Sequence, residues 1–168
     1  MSEVSKRQFV RQQGFRDAPA AACASQYSGL MFQPRLLGIF VVVAIVLQSA
    51  PMLLSLGAIL WWNVLAASHN PFDALYNRVI ATPRGLAPLT PAPPPRRFSQ
   101  GMAGTILAGA GVALLTGRPG LAWTLEALVV VALGALVFGR FCLGSYLYYL
   151  LRGETGFANR TLPWSRVE

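Results

Sequence analysis

The chain has 168 residues, of which 54% are hydrophobic and only 12% charged, about half the charged share of an ordinary soluble domain. Fourteen basic residues, all arginine except Lys6, face six acidic ones and leave a net charge of +8. This composition reads as a membrane protein. Because the arginines flank apolar runs, they point to membrane orientation and anionic lipid, and no nucleic-acid partner is expected.

Residues 1–35 are arginine-rich and poor in acid, without the apolar core of a secretory signal, and are expected to form a loosely ordered basic cytoplasmic arm. Residues 36–152 then form the membrane domain, with four apolar segments at about 36–49, 52–67, 101–117 and 121–140. The first two are joined through "QSAP" and the last two through "TGRPG". Each turn carries a proline that ends one helix and fits the first turn of the next. The expected fold is an all-α integral membrane protein of four transmembrane helices arranged as two hairpins. The shorter segments cover only about 20–25 Å of a hydrocarbon core about 30 Å thick, so flanking residues extend them or the bilayer thins.

Charge placement argues for four spans over one long first helix. With four, thirteen of the fourteen basic residues share a side with both termini, and Arg118 alone lies opposite. One long helix would carry Arg78, Arg84, Arg96 and Arg97 to the outside, against the tendency of Lys and Arg to stay cytoplasmic.

Between the hairpins, "HNPFDALYNRVI" places Asn70 as a helix N-cap, Pro71 at the first helical position and Asp73 in the first turn. Phe72, Leu75, Tyr76 and Val79 recur at helical spacing, which predicts a short helix over about 71–80 in the membrane interface. A proline-rich linker follows at 82–97, and residues 153–168 form a cytoplasmic tail.

Gly101, Thr105, Gly109, Ala113 and Gly117 repeat at four-residue spacing in the third span. Such a stripe lets helix backbones approach closely, either within the molecule or in an oligomer. Glu126 is the one acidic residue inside a span, and Asn63 is a second intramembrane polar residue. An ionisable group at such depth is a functional candidate, although Glu126 stands close enough to Gly120 to reach the outer interface, with Gln48, Ser55, Thr116 and Thr124 as available partners. At the opposite end, Arg140 stands two residues before Cys142. The cysteine is a packing residue in one reading and a thiol activated by Arg140 in the other. A straight helix from Leu121 to Arg152 would be about 48 Å long, so it overshoots the bilayer or breaks near Gly139 or Gly144. Cys23, Cys142 and the lone His69 support neither a disulfide framework nor a metal site, and no metal or cofactor is expected.

"PPRRFSQGMAGTIL" before and within the third span and "FGRFCLGSYLYYLL" at the end of the fourth resemble the signature stretches of the bacterial family called domain of unknown function 4395. The likeness covers roughly Phe32 to Arg152. It implies a small bacterial four-helix inner-membrane protein and supplies no activity. Similar members often carry a second cysteine, giving Cys-x-x-Cys, where this chain has Ser145. A Cys-x-x-Ser sequence has no resolving thiol of its own.

The leading functional expectation is a small inner-membrane accessory, scaffolding or assembly subunit without catalytic activity. Its partners would be membrane lipids and other membrane subunits or further copies of itself. The alternative is a membrane thiol protein in redox or sulfur transfer, using Cys142 at the cytoplasmic interface. Both place the chain in the bacterial inner membrane as a multi-pass protein with cytoplasmic termini.

Overall fold

The computed structural model describes residues 3–16 and 20–165, with side-chain environments for 4–16 and 26–165. Cys23 falls outside the described side chains. The described residues are helical without strands: α1 Glu3–Gln12, α2 Ala20–Val46, α3 Ala50–Leu65, α4 Pro71–Tyr76, α5 Pro94–Leu115, α6 Pro119–Val137, α7 Leu143–Leu151 and α8 Thr155–Arg160. Three helical stretches are long and apolar enough to cross a membrane, namely Gln26–Val46, Pro94–Leu115 and Pro119–Val137, while α3 is apolar but shorter.

Local chemistry sets the turns. Between α2 and α3, Gln48 adopts a left-handed backbone with φ 44°. The Gln48 and Ser49 amides donate back to the Ile45 and Ala44 carbonyls, which closes the end of α2 as a left-handed C-cap does. Ser49 then caps α3, its hydroxyl accepting from the Met52 amide at 3.5 Å, with Pro51 in the first turn. Gly117 (φ 68°) closes α5 in the same way, with Arg118 N–H donating to the Ala113 carbonyl. This position belongs to the turn and not to a packing stripe. Asn70 caps α4 as expected, accepting from the Phe72 and Asp73 amides at 2.9 and 3.4 Å. Beyond Tyr76 the chain continues as one wide π-helical turn, Asn77–Ala81.

The main core lies among α2, α3, α5 and α6, where Val41, Ala44, Leu53, Leu60, Leu107 and Ala110 lose nearly all their solvent contact. The closest approach is between α3 and α5. A β-carbon on Gly57 would sit 2.9 Å from the Gly104 carbonyl oxygen, and one on Gly111 would sit 2.8 Å from Leu54 Cγ. The small-residue stripe therefore runs through Gly104, Ala108 and Gly111, with Gly57 opposite. Of the residues expected in it, Gly101 and Ala113 are buried and Gly109 is half-buried against Leu125, whereas Thr105 and Gly117 are exposed. Four-residue spacing drifts about 40° per step around a helix of 3.6 residues per turn, so the five positions do not share one contact face.

The N-terminal segment differs from the expected loose arm. α1 is ordered against α2 through Phe9, Val10, Tyr27, Leu30 and Met31, and the Phe9 and Tyr27 rings meet edge to face at 5.6 Å. The tail is folded onto the same region: Gln8 Nε2 donates to the Ser165 carbonyl at 3.0 Å, and Arg16 pairs with Glu154 while lying 4.4 Å over the Phe157 ring. A basic amphipathic segment with Phe9 and Val10 on one face has an apolar surface to bury, and α2 extends far enough towards the N-terminus to receive it.

Candidate functional site

At the end of the bundle where α1, α4 and α7 gather, five polar side chains are buried together. Arg96, in the first turns of α5, is 4% exposed. Its guanidinium forms a fork with Asp73, donating to Oδ2 at 2.9 Å and to Oδ1 at 2.6 Å. The same group donates to Gln33 Oε1 at 2.8 Å. Gln33 Oε1 also accepts from Gln100 Nε2 at 2.9 Å and Asn70 Nδ2 at 3.4 Å, and Asn70 completes the ring to Asp73 Oδ2 at 3.2 Å. One carboxylate and one amide oxygen thus satisfy the buried cation, which is the arrangement a charge requires away from water.

This network bounds a cavity of about 80 Å³, also lined by Phe9, Gln13, Ser99 and Cys142. Such a volume exceeds what one water needs. Gln100 Oε1 borders it without a hydrogen-bond partner. Nearby, Gln12 Oε1 accepts the Cys142 amide proton at 2.9 Å, while Gln12 Nε2 has no partner. A second cavity of about 80 Å³, bounded by Met102, Ile106, Leu133 and Gly144, shares Ser99 and Cys142 with the first.

Cys142 is 6% exposed and stands at the N-cap of α7. Of the two outcomes the length argument left open, the fourth apolar helix breaks: α6 stops at Val137 and α7 starts at Leu143. In the break, Arg140 takes φ 53° and Phe141 N–H donates to the Ala135 carbonyl at 3.0 Å. A left-handed conformation in a residue with a side chain costs about 1–3 kcal/mol and persists only where its surroundings enforce it. Here the Arg140 guanidinium donates to Ser5 Oγ on α1 at 3.0 Å. The polar partner of the Cys142 sulfur is Ser99 Oγ, at 3.3 Å.

Ser99 Oγ is also 3.0 Å from Ser145 Oγ, and both hydroxyls reach the Pro95 carbonyl, at 2.9 and 3.4 Å. Each hydroxyl has one proton to give. When Ser145 serves Pro95, the Ser99 proton is free for the sulfur; when Ser99 serves Pro95, the thiol proton is free for Ser99. α7 approaches α5 this closely because residue 144 is glycine: a β-carbon there would lie 2.7 Å from Ser99 Cα.

Glu126 lies elsewhere, 1% exposed. Its Oε2 accepts from Gln48 Nε2 at 3.1 Å and its Oε1 has no partner. The carboxyl is held inside the bundle beside the α2–α3 turn, where the Gln48 amide meets it. Thr116 and Thr124 bond to carbonyls of their own helices, Val112 and Gly120. Asn63 is fully buried with neither side-chain polar atom paired. Cys142 thus contacts Ser99 and Gln12 and shares a cavity wall with Arg96 and Gln100, while Glu126 and Asn63 line neither cavity beside it. Asp73, Arg96 and Gln100 carried a readable signal: Arg96 and Gln100 share a helix face, and Asp73 is one of six acids in a basic chain. Among the described residues no group of three or more His, Cys, Asp or Glu is placed to hold a metal.

A helical protein with apolar helices of membrane length and, at one end, a buried polar network beside a largely apolar cavity with a cysteine in its wall is the class that fold and site define. The family model described as domain of unknown function (DUF4395) matches residues 28–152, and the chain belongs to that family. No curated protein and no solved structure matches it.

Proposed function

We propose that this is a multi-pass protein of the bacterial inner membrane, with four helices crossing as two hairpins and both termini cytoplasmic, and that it works through the single thiol of Cys142 in exchange with small disulfides. The observation that carries the reading is the placement of Cys142 Sγ, 3.3 Å from Ser99 Oγ, between two cavities, one of them edged by the unpaired Gln100 oxygen. The membrane placement is supported by the apolar helices and by the arginines gathered on one side.

In the exchange, the Cys142 sulfur attacks one sulfur of R–S–S–R′. The Cys142–S–S–R bond forms, the R–S–S–R′ bond breaks, and R′ leaves as R′–SH with the proton Cys142 gives up. There is no net oxidation. Ser145 leaves the chain without a resolving thiol at that position, so release needs an external thiol R″–SH, which takes R as R–S–S–R″ and restores Cys142–SH. Ser99 supplies the hydrogen bond to the sulfur, and Ser145 takes the Pro95 carbonyl when Ser99 turns its proton to the sulfur.

The test is intact-mass analysis of the detergent-solubilised chain in a Cys23→Ser background after brief treatment with methyl methanethiosulfonate at neutral pH. One adduct should form at Cys142 faster in the folded protein than in the unfolded chain, and Ser99→Ala should slow it. A folded-state rate no greater than the unfolded one would sink the proposal. The accessory or scaffolding role keeps the basic cytoplasmic face as its support, but the small-residue stripe that suggested it is used between α3 and α5.

A further inference from the structure

A groove of about 560 Å³ runs between α2 and α6, floored by Gly38 and Gly134 and walled by Ile39, Val42, Val130 and Phe138. It is open to the surroundings: Phe138 is 86% exposed, and a β-carbon on either glycine would meet nothing within 4 Å. At one end stands Arg35, which also borders a second cleft of about 290 Å³ lined by Ser28, Phe32, Tyr76 and Arg84. The two hollows share Arg35 and Ile39, so an apolar groove and a cleft bearing two arginines lie side by side. Arg35 and Arg84 are both exposed and, among the described residues, have no hydrogen-bond or ion-pair partner. Arg96, Arg97 and Arg140 are engaged, with Asp73, the Val64 carbonyl at 2.9 Å and Ser5 respectively, and the exposed Arg78 lines neither hollow.

The dimensions select the occupant. From Arg35 to Val43 the groove follows α2 for about 12 Å, at about 1.5 Å per residue, and one leaflet of a hydrocarbon core about 30 Å thick is about 15 Å deep. A partner's transmembrane helix would need a surface of twice that length, whereas one acyl chain needs only this much. We infer that the α2–α6 groove holds an acyl chain of an anionic phospholipid from the cytoplasmic leaflet, with its phosphate between Arg35 and Arg84. Ser28 adds a hydroxyl at the headgroup level, and the absence of β-carbons at positions 38 and 134 makes room for the chain. This inference rests on the membrane placement proposed above and is independent of the thiol chemistry.

Native mass spectrometry of the full chain released from detergent micelles tests it, with phosphatidylglycerol, phosphatidylcholine and inorganic phosphate as probes. The wild type should retain one phosphatidylglycerol in preference to phosphatidylcholine. Arg35→Gln and Arg84→Gln should each weaken retention about tenfold, as expected for loss of a charge-assisted hydrogen bond. Gly38→Leu, which fills the groove without meeting a neighbour, should abolish it, and Arg78→Gln should leave it unchanged. Equal retention of both lipids, or full retention in Gly38→Leu, overturns the inference. So does displacement of the lipid by millimolar phosphate, which would reduce the site to an anion site. A dimer that Gly38→Leu converts to monomer overturns it in favour of an interface between copies. If the chain stays monodisperse without detergent, the membrane placement itself fails; if it enters vesicles yet retains no lipid, only the lipid site fails.

Discussion

Removing the Asp73 carboxylate tests whether the buried polar network holds the fold together. Arg96 makes three charge-assisted bonds, two to Asp73 and one to Gln33, with its side chain only 5% exposed. In Asp73→Ala two of the three are lost and the cation stays buried beside a single amide oxygen. Breaking a buried pair from one side costs about 3–5 kcal/mol because it strands a charge, a large fraction of a total stability of about 5–15 kcal/mol. Adding Arg96→Met removes the stranded charge at similar length, and Gln33 Oε1 keeps Gln100 and Asn70 as donors. The double variant should therefore recover about 2 kcal/mol or more relative to Asp73→Ala, a coupling that a double-mutant cycle reads directly. The assay is reversible unfolding of the purified protein in mixed micelles of increasing SDS fraction, followed by tryptophan fluorescence. An Asp73→Ala midpoint equal to wild type, or a double variant no more stable than Asp73→Ala, would refute the reasoning.

The α3–α5 contact should be equally sensitive to one methyl group: Gly57→Ala, whose β-carbon would press on the Gly104 carbonyl, should destabilise by about 1–3 kcal/mol in the same unfolding assay, and Gly120→Ala, in open space, should not. Burial pushes the Tyr149 hydroxyl above its ordinary value of 10.0, against the opposing pull of the Arg16 cation. The unfolded chain therefore gives up this proton first as pH rises, and the stability linked to it is present below about pH 10 and lost as pH climbs through the higher folded value. Thermal scans between pH 8 and 11 should show the decline, and Tyr149→Phe should flatten it; an identical profile in that variant would count against the assignment.

The apolar segments, the proline-bearing turns and the Asn70 cap were legible along the chain, because each rests on interactions within a few residues; the break after α6 was one of two outcomes that helix length left open. The stripe was read on the right helix and partly on the wrong face, since several small residues offered more than one periodicity and only the position of Gly57 selects between them. α1 was missed because its apolar face is short and its burial depends on the extension of α2 beyond the expected span.

Composition and local pattern determined that this chain is helical and apolar and where its helices turn. They did not determine the buried polar network. Gln33, Asp73, Arg96 and Gln100 meet across separations of 23 to 67 positions, and no short-range periodicity records such a meeting. Three-dimensional packing decided that Arg140 reaches Ser5 while Ser99 reaches the Cys142 sulfur, because a left-handed residue in the break sets the directions of both side chains. Burying a charged group requires partners for its hydrogen bonds, and only the folded chain brings those partners together.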